Sequence, residues 1–186
     1  MDIQVMIQPT PNPHAMKFVV NSPVKTEGTV TYSQAEDCQD NPLARAVFES
    51  DAHIKELYFN DNYITVTQDG TSDWGKLEEQ VKAVLLERLP GHNPNFVSVS
   101  PTTVQPEGSS DRTELDKINA ILNETIRPAL QMHGGDLQVL ALKDNVLSIH
   151  YQGACGSCPS AASGTLNAIR NILIDQYRPD IEVVMN

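Results

Sequence analysis

Cysteine is scarce: Cys38, Cys155 and Cys158 are the three in 186 residues. An odd, small number argues against the disulfide framework that staples many secreted domains. Long apolar runs are missing too. No stretch approaches the roughly 20 residues that cross a bilayer, so no membrane partner is expected. Met1-Asp2-Ile3-Gln4-Val5 has neither the basic-then-apolar order of a secretory signal nor the Arg-rich, acid-poor character of a transit peptide. Basic charge is thin as well, with 13 Lys and Arg against 24 Asp and Glu and a formal net charge of -11. Such a surface repels phosphate backbones, so nucleic acid is not an expected partner. No phosphate-cradling glycine loop is present, and nucleotide hydrolysis is not indicated. These absences point to a reducing compartment: the cytoplasm, or the mitochondrial matrix if a transit peptide has been removed.

What is there suffices for a packed fold. Apolar residues make up 40% and charged residues 20%, so a core can form and disorder is not the default. The length suits one large domain or two small ones. Residues 3–33 read as strands, interrupted by Pro9-Thr10-Pro11-Asn12-Pro13-His14, where three prolines forbid helix. Glu36-Asp37-Cys38-Gln39-Asp40 reads as an acidic loop. Asn41 is placed to cap a helix with Pro42 at its first position. Ile54–Phe59 and Tyr63–Thr67 form a hairpin around Asn60-Asp61-Asn62, since Asn and Asp tolerate positive φ. Ser72 or Asp73 then caps a longer helix with Trp74, Leu77, Val81, Val84 and Leu85 on one face. Pro90-Gly91 stops it.

Residues 99–111 turn to Pro, Ser, Thr and Gly, the composition of a linker. Beyond them Asp111 is placed to cap a helix, with Glu114 completing a capping box. Leu115, Ile118, Leu122, Ile126 and Leu130 line its inner face. Pro128 should kink its last turns, and Gly134-Gly135 should end it. Leu137–Leu142 and Val146–Tyr151 read as paired strands around Lys143-Asp144-Asn145. Pro159 opens a final helix, and Ile181–Met185 closes the chain as a strand. The expected class is α+β: two small α+β domains, residues 1–98 and 112–186, joined by a flexible linker over 99–111. The C-terminal domain runs α-β-β-α-β.

The chemistry concentrates in Gly153-Ala154-Cys155-Gly156-Ser157-Cys158-Pro159-Ser160. A Cys-x-x-Cys pair holds half of a four-thiolate metal site, cycles between dithiol and disulfide, or packs. A helix N-terminus just beyond the pair favours negative charge, so both thiols are expected to have lowered pKa values. That activates the pair without choosing its use. Iron–sulfur clusters normally take four thiolates. One chain offers two here, so a cluster would need a second subunit or a thiol-bearing partner. The small residues Ser160 to Gly164 would admit such an approach, or simply let the helix pack. Structural zinc would need two more ligands, for which His133 and His150 are the nearest candidates. Cys38, among carboxylates that raise its pKa, is a poor ligand. Asp136 reads as a cap or turn acceptor. The rival from another class is a thiol–disulfide oxidoreductase using Cys155 and Cys158, although no thioredoxin-type βαβ order surrounds them.

Three runs carry a resemblance: Ile126-Arg127-Pro128-Ala129-Leu130, His133-Gly134-Gly135-Asp136-Leu137, and Gly153 to Ser160. Together they resemble the NifU C-terminal (Nfu-type) iron–sulfur scaffold domain. Thr10-Pro11-Asn12-Pro13 and Ala15-Met16-Lys17-Phe18 resemble the N-terminal domain that accompanies it. His133 and Ala161-Ala162 depart from the usual pattern without touching the cysteines. The resemblance implies a non-enzymatic scaffold or carrier that binds a 4Fe–4S cluster, with 2Fe–2S as the alternative, bridged between the subunits of a homodimer. It implies Cys155 and Cys158 as the ligands, upstream assembly factors as suppliers, and apo iron–sulfur proteins as recipients. The N-terminal domain would serve target recognition or regulation.

Overall fold

A computed structural model describes residues 2–98, 109–158 and 161–186. The chain divides into two compact units, Met1–Pro101 and Thr102–Asn186. Each combines strands and helices, so the protein is a two-domain α+β fold. Most of the predicted linker, residues 99–108, lies outside the described residues, whereas Ser109 already belongs to a helix.

The first unit runs β1 (Val5–Pro9), β2 (Ala15–Val20), β3 (Lys25–Tyr32), α1 (Pro42–Ser50), β4 (Ile54–Asp61), β5 (Tyr63–Gln68) and α2 (Trp74–Arg88). The strands form an antiparallel sheet in the order β1-β2-β5-β4-β3. The β-branched and aromatic run in β5 suits its central place, where every residue is buried. Phe18, Ile64, Val66, Leu57 and Phe59 share one face of the sheet and pack against Leu43, Val47, Leu77, Val81 and Leu85 of the two helices. Asn41 caps α1 as expected, its side chain accepting from the Ala44 amide. Asp73, not Ser72, caps α2. The hairpin is tighter than predicted: Asn60 pairs with Tyr63, leaving Asp61 and Asn62 as the turn, with Asp61 at φ 44°. Pro90-Gly91 falls in a 3₁₀ turn, Leu89–Gly91, that closes α2.

The proline-rich run is a built turn. The Thr10 hydroxyl lies 2.9 Å from the carbonyls of both Asn12 and Ala15. Buried Asn12 accepts the His14 amide at 3.0 Å. Trp74 is partly buried against the core, and its indole N–H donates to the Pro13 carbonyl at 3.0 Å. The acidic segment read as a loop forms a 3₁₀ turn, Ala35–Asp37, that tucks Cys38 into the core at 1% exposure.

The second unit runs α3 (Ser109–Thr125), α4 (Arg127–Met132), β6 (Gly135–Lys143), β7 (Val146–Gly153), α5 (Leu166–Gln176) and β8 (Glu182–Met185). Two expectations need correction. Asp111 is no cap, because α3 begins two residues earlier. The helix around Pro128 is not kinked but divided, with α3 ending at Thr125 and Pro128 in the first turn of α4. Proline there forfeits a backbone N–H that a helix start leaves unpaired anyway. Gly134 stops α4 at φ 80°. Asp144 and Asn145, at φ 49° and 66°, make the β6–β7 turn with the left-handed pair that hairpins favour. β7 pairs antiparallel with β6 and parallel with β8, giving the order β6-β7-β8. A parallel neighbour requires a crossover, which α5 supplies. Leu115, Ile118 and Leu122 of α3 meet Leu137, Leu147, Ile149, Ile169 and Leu173 in the core.

Candidate functional site

The turn that carries the cysteines is anchored by the start of β6. Gly135 pairs with Gly153 at the end of β7, and the Ala154 amide donates to the Gly134 carbonyl at 3.1 Å. The chain then closes two short turns. The Gly156 amide donates to Gly153 at 3.0 Å, and the Cys158 amide donates to Cys155 at 3.3 Å. The second turn places Cys158 back beside Cys155. Both thiols are free and nearly buried, at 7% exposure for Cys155 and 9% for Cys158, while Gly156 and Ser157 between them are exposed.

Gly135 owes its identity to this turn. A Cβ added there would lie 2.4 Å from the Cys155 sulfur and 2.8 Å from its amide nitrogen. Real Cβ atoms do not come that close, so only glycine lets the cysteine seat against the strand. The two glycines of Gly134-Gly135 therefore do different work. The first stops a helix; the second makes room for a sulfur.

Asp136 ties this corner to the helices. It is 2% exposed, and its carboxylate accepts from Arg127 at 3.0 Å, from Gln131 at 3.1 Å and from the Leu137 amide at 2.7 Å. Arg127 also donates to Asn119 at 3.2 Å. A buried carboxylate is tolerable only with such partners. Arg127, Gln131 and Asn119 carried no role in the sequence reading. The run Ile126 to Leu130 did single out Arg127, nine residues before Asp136, but spacing alone does not reveal a pair made across two elements.

The expectation of lowered thiol pKa values fails at Cys155. Burial pushes its thiol up to about 12, with the neighbouring charges of Cys158 and Asp136 acting in the same direction. A helix terminus contributes about 0.3–1 kcal/mol to a nearby charge, less than one pKa unit. Desolvation outweighs that here. The predicted helix start at Pro159 lies outside the described residues; the chain is helical from Ala161, first as a π turn, Ala161–Thr165, and as α-helix only from Leu166.

Among the described residues no three His, Cys, Asp or Glu side chains are grouped to hold a metal ion. His150 is exposed, its ring bonded to the Asn186 carbonyl at 2.9 Å, and in register it alternates with the inward-facing Ile149 and Tyr151. Cys38 is far from any such role. It lies in the core of the other unit, its sulfur donating to the Gln34 carbonyl at 3.4 Å. Its pKa is pushed up to about 12, by burial first and then by Asp40 and Asp37, so the direction expected from carboxylates holds but their charge is the lesser cause.

Two family models match the chain. Residues 3–92 match the model of "Scaffold protein Nfu/NifU N terminal", and residues 118–184 match that of the "NifU-like domain". The human protein described as "NFU1 iron-sulfur cluster scaffold homolog, mitochondrial" is 30% identical over 97% of this chain and 70% of its own length. This chain belongs to the Nfu/NifU family of iron–sulfur cluster scaffold proteins. A relative of the same description from Drosophila grimshawi is 28% identical over 97% of this chain, which spans 60% of that protein. The solution structure of a NifU-like protein from Saccharomyces cerevisiae aligns with a TM-score of 0.47 at 19% identity, covering 53% of this chain and 87% of that one. Among the described residues no helix is long and apolar enough to cross a membrane.

Proposed function

We propose that the protein carries a 4Fe–4S cluster held by Cys155 and Cys158 of two copies of the chain, and passes it to apo iron–sulfur proteins. The observation that carries this reading is the seat of Cys155 on Gly135, with a second free thiol returned beside it by the next turn, inside the segment that matches a NifU-like domain. The donor set fits the cargo. Two thiols per chain are half of the four that such clusters normally take. A chain that presents only half a site is completed by a second copy, and a cluster with two anchors on each side can leave by stepwise thiolate exchange.

The remaining residues explain how the half-site keeps its shape. Gly135 and the Gly134 carbonyl fix the turn, and Asp136 with Arg127 fixes the strand start on which it rests. A thiol ligates as thiolate, so loading releases the Cys155 proton, and the Fe–S bonds must offset the burial that keeps Cys155 protonated when it is free. Assembly factors supply iron and sulfide upstream. Residues 112–186 form the cluster domain, and residues 1–98 a recognition or regulatory domain. The free thiols suit a reducing compartment, the cytoplasm or the mitochondrial matrix.

Anaerobic reconstitution with iron and sulfide, followed by Mössbauer spectroscopy and sizing, tests the reading. The expected result is a dimer with a 4Fe–4S spectrum, lost in Cys155→Ser and in Cys158→Ser and kept in Cys38→Ser. A colourless monomer that instead reduces insulin disulfides would establish the oxidoreductase and end the carrier proposal.

A further inference from the structure

Beside the cysteine turn lies a buried polar group that the proposed function leaves without a role. Tyr151 on β7 is 2% exposed, and its hydroxyl is shut away from solvent with no hydrogen-bond partner among the described residues. Tyrosine hydroxyls in cores normally find one. An unmet buried hydroxyl is destabilising, and phenylalanine would fill the same space without that cost.

The strand register shows what the hydroxyl can reach. Gly135 pairs with Gly153, and Leu137 pairs with Tyr151. Residues two apart on a strand share a face, so Gly135, Leu137, Tyr151 and Gly153 point to the same side of the sheet. That side is the core, where Leu137 and Tyr151 are buried. The position of a Cβ on Gly135, 2.4 Å from the Cys155 sulfur, puts that sulfur on the core side too. Tyr151 is the diagonal cross-strand neighbour of Gly135. Diagonal neighbours lie about 7–8 Å apart, within reach of an aromatic side chain. Tyr151, Cys155 and Cys158 accordingly share one packed cluster.

We infer that Tyr151 is a positioning residue for Cys155, its hydroxyl donating an O–H···S hydrogen bond to that sulfur when it is a ligating thiolate. The inference rests on the proposed cluster function and extends it to a residue outside the Cys-x-x-Cys pair. A phenol is a good donor, a neutral thiol a weak acceptor, and a thiolate a strong one. The bond is not made in the free protein; it forms on loading, when the sulfur becomes the stronger acceptor. Hydrogen bonds to ligand sulfur stabilise the ligand and set cluster potential.

The test compares the full-length wild type with Tyr151→Phe, both reconstituted anaerobically with iron and sulfide and separately loaded with Co(II). The variant should take up as much iron as wild type, lose it to a ferrous chelator roughly three- to tenfold faster, and show a more negative midpoint potential. Its thiolate-to-Co(II) charge-transfer band should move to lower energy. The apo variant should melt no lower than apo wild type, because the hydroxyl removed there had no partner. Unchanged chelation, potential and band would overturn the inference and leave the cluster function standing. A clear fall in the apo melting temperature would reveal another partner for the hydroxyl, and would also overturn it. If the wild type itself takes up no cluster, the carrier proposal falls, and the Co(II) band decides Tyr151 alone: shifted supports the sulfur contact, unchanged removes it.

Discussion

Cys38 in the first unit and Cys155 in the second are a matched pair with different fates. Both are buried, both are free, and burial pushes both thiols up to about 12. Cys38 lies within the apolar core of the first unit, with its sulfur spent on a backbone carbonyl. Cys155 sits on a strand end cleared by a glycine, with a second thiol returned beside it and exposed residues between them. Burial and ionisation are the same at the two sites. What separates an inert core thiol from a candidate ligand is the second sulfur, brought round by a turn whose intervening residues are exposed.

The comparison breaks most severely if the corner beneath Cys155 is removed. Asp136→Ala strands the Arg127 guanidinium and should destabilise the second unit by about 3 kcal/mol. Thermal unfolding resolved by unit should show that transition falling while the first unit's stays in place. An equal fall in both transitions would mean that the units do not unfold separately.

A smaller change sharpens the role of the seat. Gly135→Ala forces a methyl group into the Cys155 sulfur and amide, costing about 1–3 kcal/mol, and should weaken metal uptake at the thiol pair. Gly91→Ala, with open space around the added methyl, should stay within about 0.5 kcal/mol. Cobalt titration of the two variants checks the contrast; equal uptake would show that the glycine seat is dispensable.

In the first unit, Asn41→Ala removes the cap of α1 and should cost about 1 kcal/mol, read by denaturant midpoint, with no effect on metal uptake. The smallest expected effect concerns Cys38 and pH. Its folded pKa of about 12 lies above the ordinary 9.0, so the native state holds the proton that the unfolded chain releases. The stability this contributes is complete below about pH 9 and is lost as pH rises towards 12. Cys38→Ala should flatten the alkaline side of the first unit's stability curve. In the native protein at pH 8, alkylation should leave Cys38 unmodified.

The order of strands and helices was legible in the sequence because its signals are local. Asn41-Pro42 capping a helix, Asp144-Asn145 turning a hairpin and β-branched runs between turn formers each act within a few residues. The Cys-x-x-Cys pair was legible for the same reason. The subdivision at Ile126 was less so, since a proline inside an apolar period can kink a helix or begin one, and only packing chooses. The pKa of Cys155 was misjudged because a helix terminus can be read from sequence, whereas the depth of burial that outweighs it cannot.

By itself, then, the sequence determined the secondary elements, the α+β class and the presence of two thiols spaced for one site, all consequences of near-neighbour chemistry. Only the tertiary structure decided why Gly135 is glycine, why Asp136 is charged, and that Tyr151 lies on the sulfur's side of the sheet. Those facts depend on β6 and β7 lying in one register, which brings residues 20 positions apart, Gly135 and Cys155, into van der Waals contact.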